Sequence, residues 1–221
     1  MEASEVYRWL MSGGPRGSCD AFDAHVVAGV MALAICESQG DAAAWSEACG
    51  LDAETAGKLM SELFPHATPV FSRLAATRVV PSVSEEEAML RSLLRQHVTV
   101  GTPLEEALAA VVARRAQKPH HLWQDLGLRN RRELGWLMSR HFESLASRNR
   151  TDMKWKKFLY RQICRDGGFL LCASPTCDQC SDFDACFGDE RGDSLLAATP
   201  TAPGAEGGAP VQPAHAASEQ S

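Results

Sequence analysis

The chain has 221 residues, 45% of them hydrophobic, enough for one sizeable core or for a core with a small appended module. No uninterrupted apolar run reaches membrane-spanning length, and the opening MEASEVYRWL has neither a basic n-region nor an apolar h-region, so no membrane association and a cytoplasmic location are expected. Eight cysteines without an export signal read as thiols, which excludes a secreted disulfide scaffold. The net charge of −6 conceals a polarity, because residues 113–165 hold fourteen Lys/Arg against four Asp/Glu. Such a segment suits an anion, an anionic cluster, an acidic protein or nucleic acid, or else it forms the solvated faces of helices.

Alternating β-branched runs are missing and Ala, Leu, Glu and Arg dominate, so the fold class is mainly α. In chain order, Phe22 to Ser38 reads as a helix and Asp52 opens another. Ser84 with Glu87, Thr102 with Pro103 and Glu105, and Asn130 with Glu133 each pair a capping residue with a glutamate three positions on, and so mark three helix starts. Asp152 is expected to cap a further helix through MKWKKFLYRQIC, stopped by Gly167 and Gly168. On it Trp155, Phe158, Leu159 and Gln162 share one face, leaving Lys154, Lys156, Lys157, Arg161 and Arg165 largely on the others. Three regions follow: a helical domain over 1–165, a cysteine-rich metal-cluster loop packed on it over 166–194, and a disordered Ala/Pro/Gly-rich tail over 195–221 that lacks the apolar bulk to offset its ordering entropy.

Four of the cysteines, Cys172, Cys177, Cys180 and Cys186, fall within fifteen residues as C-x4-C-x2-C-x5-C. Thiolates are soft, strongly donating ligands, and four from one short loop suit an iron–sulfur cluster or a tetrahedral zinc. Zinc modules usually split their ligands into two separated pairs, whereas here one compact loop carries all four, which favours a cluster. Phe169, Leu170, Leu171, Phe183 and Phe187 would shield the inorganic core or anchor the loop. Cys164 is a possible auxiliary ligand or a buried thiol, and Cys19, Cys36 and Cys49 are scattered.

Three histidines fall on apolar helical stripes: His25 among Phe22, Val26 and Val30, His97 behind Leu90, Leu93 and Leu94, and His141 among Leu134, Leu137, Met138 and Leu145. Each is either a satisfied core imidazole or one of a converging set of metal or oxyanion ligands; His120 and His121, at the start of LWQDLGL, are two further candidates.

The run KWKKFLYRQIC followed by GGFLLCASPTCDQCSDFDACFG resembles the C-terminal signature of the NifQ family, the molybdenum-handling proteins of nitrogenase iron–molybdenum cofactor biosynthesis. HHLWQDLGLRNRRELGWLMSRHFESLASRN is similar to that family too, as is FDAHVVAGVMALA more loosely, so the resemblance spans roughly residues 5–190. It implies a molybdenum–iron–sulfur cluster on Cys172, Cys177, Cys180 and Cys186, with molybdate as a source of the molybdenum. It further implies donation of molybdenum to the cofactor scaffold and the nitrogenase iron protein. Two other classes stand against it. One is a zinc-stabilised interaction module; the other is a helical iron–sulfur DNA-repair protein, disfavoured because the glycine-rich helix–hairpin–helix element that grips the DNA backbone is missing. No nucleophile–base pair or phosphate-binding loop stands out, so a carrier rather than an enzyme is expected.

Overall fold

The computed structural model describes residues 2–13, 20–167 and 183–197. Cys19, Cys172, Cys177 and Cys180, together with the expected tail from 198 onward, lie outside the described residues. The described part is mainly helical: α1 (Ala3–Ser12), α2 (Ala21–Ser38), α3 (Ala42–Cys49), α4 (Ala53–Leu63), a short 3-10 turn (Pro65–Ala67), α5 (Thr68–Ala75), α6 (Glu85–Arg95) and α7 (Pro103–Ala116). The chain continues as α8 (Leu122–Asp125), α9 (Arg131–His141), α10 (Glu143–Ala146), α11 (Trp155–Asp166) and α12 (Phe183–Phe187).

The helix starts follow cap chemistry. Asp20, Asp41, Asp52, Ser84, Thr102 and Asn130 each accept a backbone N–H from the first turn, satisfying donors that have no partner inside the helix. Asp152 does not cap α11. It takes a left-handed conformation (φ 53°), and its carboxylate and carbonyl both accept from Arg131 Nη2 at 2.8 Å. The helix starts later because Asn149 closes a tight turn, donating from Nδ2 to the Met153 carbonyl and accepting the Met153 N–H, each at 2.9 Å. Two other departures are local. The α6 helix stops at Arg95, so His97 lies in a turn, and Phe142 (φ −139°, ψ 49°) breaks the stripe into α9 and α10 while Phe142 and Leu145 stay buried.

At the centre lies α2, with thirteen of its eighteen residues buried. It is long and apolar enough to cross a membrane by length and composition, yet its faces pack against α1, α3 and the rest of one continuous core. One close backbone crossing of α2 is made possible by glycine. A Cβ on Gly127 (φ 70°) would lie 2.9 Å from the Gly29 carbonyl, and a Cβ on Gly29 would lie 3.1 Å from the carbonyls of Leu126 and Gly127. This contact seats the turn after α8 directly on α2. As expected from their periodicity, Trp155, Phe158, Leu159 and Gln162 of α11 are all buried.

Gly127→Ala combines a disfavoured φ with a backbone collision, and about 3 kcal/mol of stability loss is expected in denaturant unfolding. Gly40→Ala has a similar φ (88°) but open space around it, and should cost only about 1 kcal/mol. Equal losses would show that the Gly29–Gly127 approach is not what matters.

Candidate metal centre

Of the four motif cysteines, Cys186 is described. It is half-buried on α12, packs against the core, and is not in a disulfide. A five-residue helix does not hold itself. Here the start of α11 holds it: the Lys154 amide donates to the Cys186 carbonyl and the Lys154 ammonium to the Asp184 carbonyl, both at 2.8 Å. The Phe183 and Phe187 rings stack at 4.7 Å. Just beyond, Glu190 is buried at 5% side-chain exposure and bonded to Arg131 Nη1 at 2.7 Å, with His121 Nδ1 at 3.3 Å from its other oxygen. Gln124 of α8 donates to the Asp193 carbonyl at 2.9 Å. Cations and polar groups of α8, α9 and α11 thus fix the chain on the C-terminal side of the motif.

The remaining described cysteines divide by environment. Cys49 is fully buried, and burial pushes its thiol up to about 11, so it stays protonated and is a poor ligand or nucleophile. Burial also raises the half-buried Cys36 thiol. Cys164 is half-buried on α11, outside any disulfide.

The inward histidines serve as cross-links within the core. His25 accepts from the Tyr7 hydroxyl at Nδ1 (2.8 Å) and donates from Nε2 to Glu133 (2.9 Å), so both ring nitrogens are used. Burial raises the Tyr7 hydroxyl above its usual range, which keeps it a donor at neutral pH. His141 Nε2 bonds to Asp23 at 3.0 Å, and its Nδ1 lies 3.6 Å from Glu105. His97, expected inward, is instead only half-buried, and it meets Ser144 Oγ at 2.7 Å at the surface, because α6 ends before it. His25 and His141 are thus brought to the same α2–α9 seam, but each is matched to its own carboxylate. His120 and His121 differ, being half-exposed with one nitrogen held: His120 Nδ1 bonds to buried Asp125 at 3.1 Å, and Asp125 is clamped by Lys156 at 2.6 Å. Among the described residues, no group of three or more His, Cys, Asp or Glu side chains is arranged to hold a metal ion.

A cleft of about 770 Å³ opens beside the His141–Asp23 pair, lined in part by Asp20, Asp23, Glu105, Arg140 and His141. Two of its carboxylates share one cation, since Arg140 bridges Asp20 and Asp23 at 2.5 and 2.9 Å. Part of the basic segment is spent in the same way: Arg114 pairs with Glu47 and Glu87, Arg115 and Lys118 with Glu37, and Arg131 with Glu190 and Asp152. These cations serve the fold itself. The partners Tyr7, Asp23, Glu133 and Glu190 escaped the sequence reading; a lone Asp23 and His25 on an otherwise apolar helix was the available signal.

Glu105 offers a pH test. Burial alone would raise its carboxyl, but the backbone N–H groups of Val100, Gly101 and Thr102 all donate to it and hold it below the ordinary 4.5. A depressed folded value stabilises the protein above the unfolded value and loses that contribution as pH falls through the folded one. Glu105→Gln should therefore cost about 1–3 kcal/mol at pH 7, and the gap to the parent protein should shrink below pH 4.5 in denaturation series.

Comparison with known proteins bears on what this centre is for. The family profile described as NifQ matches residues 26–188. The protein NifQ homolog of Sinorhizobium fredii is 38% identical over 173 residues, 78% of this chain and 75% of that relative. Protein NifQ of Rhodobacter capsulatus and of Azotobacter vinelandii are each 42% identical over 48% of the chain, the matched stretches covering 59% and 54% of those relatives. No solved structure matches the chain. The chain belongs to the NifQ family, a membership that implies a role in molybdenum handling for the iron–molybdenum cofactor of nitrogenase.

Proposed function

We propose that the chain is a molybdenum–iron–sulfur cluster carrier that donates molybdenum during assembly of the nitrogenase cofactor. The observation that carries the reading is the array Cys172, Cys177, Cys180 and Cys186, whose last member is latched to the helical body between lysine- and arginine-made contacts. Four thiolates suit the irons of a cuboidal cluster, which is anionic and gains from nearby cations. Nitrogen or oxygen donors complete the coordination of a heterometal at one corner. The accessible rings of His120 and His121 are the better candidates for that role, His121 because it neighbours Glu190, four residues beyond Cys186. His25 already uses both ring nitrogens, on Tyr7 and Glu133, and His141 uses Nε2 on Asp23, with Glu105 facing its Nδ1 at 3.6 Å.

In this reading the work is binding and transfer without turnover, molybdate is a source of the metal, and the recipients are the cofactor scaffold and the nitrogenase iron protein. Protein purified without oxygen should be brown and contain iron, sulfide and molybdenum. Ala in place of Cys172, Cys177, Cys180 or Cys186 should remove most of the iron. Full metal content in all four variants would sink the assignment, and colourless, zinc-rich protein would replace it with a zinc-stabilised interaction module.

A further inference from the structure

α12 has five residues, none of them fully buried, and too few internal hydrogen bonds to persist alone. Lys154 supplies what it lacks. Its backbone amide and its ammonium reach two carbonyls of the same turn, those of Cys186 and Asp184, so one residue grips α12 at two points. Because the ammonium bonds to a carbonyl rather than to a carboxylate, it brings a positive charge to the turn that carries Cys186. It also stands at the N-terminus of the twelve-residue α11, where the helix dipole adds positive potential. By contrast, the neighbouring Arg131 is spent on Glu190 and Asp152.

We propose that Lys154 is a positioning residue of the metal centre: it latches α12 so that Cys186 is set for ligation, and its charge stabilises the added electron of a thiolate-bound cluster. The inference rests on the reading of Cys186 as a ligand, and its test separates the two. Full-length parent protein, K154M and K154R are compared twice. In metal-free protein, amide hydrogen exchange over residues 183–188 should be roughly tenfold faster in K154M, the loss expected for one charge-assisted hydrogen bond, and near the parent rate in K154R. After anaerobic reconstitution with ferrous iron and sulfide, the midpoint potential of K154M should move negative and that of K154R should return towards the parent value, a response that a purely structural residue would not give.

Unchanged exchange in K154M overturns the latch. Faster exchange with an unmoved potential overturns the electrostatic role and keeps the latch. Failure of the parent protein to take up iron defeats the reading of Cys186 as a ligand and, with it, the electrostatic role, while the exchange measurement still decides whether Lys154 holds α12.

Discussion

Everything in this fold is arranged around the burial of α2. A helix apolar on nearly every face has no solvent side and must be enclosed, and enclosing Asp23 and His25 with it obliges the surrounding helices to supply partners. α9 meets both demands from one face, Glu133 taking His25 and, two turns later, Arg140 and His141 taking Asp23. α1 closes the other side through Tyr7. Because an unpaired buried charge costs several kcal/mol, these contacts fix α9 against α2 in a single register, and α9 is the helix that carries Arg131 towards the cysteine segment.

The charge pattern acquires a similar meaning. A cationic stretch over 113–165 and an acidic remainder look like a molecule with two electrically distinct faces. In the folded protein part of each joins one neutralising set: Glu37, Glu47 and Glu87 come from helices laid down early in the chain, and Arg114, Arg115 and Lys118 from the end of α7 and the turn after it. Arg115 is almost completely buried, so its pairing with Glu37 at 2.5 Å is a condition of folding rather than surface decoration.

What was legible in the sequence was local. Caps at Asp52, Ser84, Thr102 and Asn130 were readable because a side-chain oxygen accepts a backbone N–H within a single turn, with Glu105 completing a capping box at Thr102. The buried face of α11 was readable because amphipathic period survives packing. Asp152 misled because its turn is decided by Asn149 and by Arg131, the latter twenty-one residues away. The histidines were correctly placed inward at His25 and His141, but periodicity cannot name the atom across the interface, and Glu133 was legible only as a capping-box residue. The motif cysteines stand out in the sequence by spacing alone, and of the four only Cys186 lies among the described residues. The grip of Lys154 on the last of them was not legible, since it joins residues thirty or more positions apart.

The Gly29–Gly127 contact, finally, bears on how the segment after Cys186 is held. It locks the turn after α8 onto α2 by backbone alone, and from α8 Gln124 reaches the Asp193 carbonyl. The described segment beyond Cys186 is thereby tied, at Asp193, to the helix buried at the centre of the core. The loop-closure entropy of holding that segment is met by folding of the helical body. Its position is therefore set by backbone and amide contacts and does not draw on any thiol.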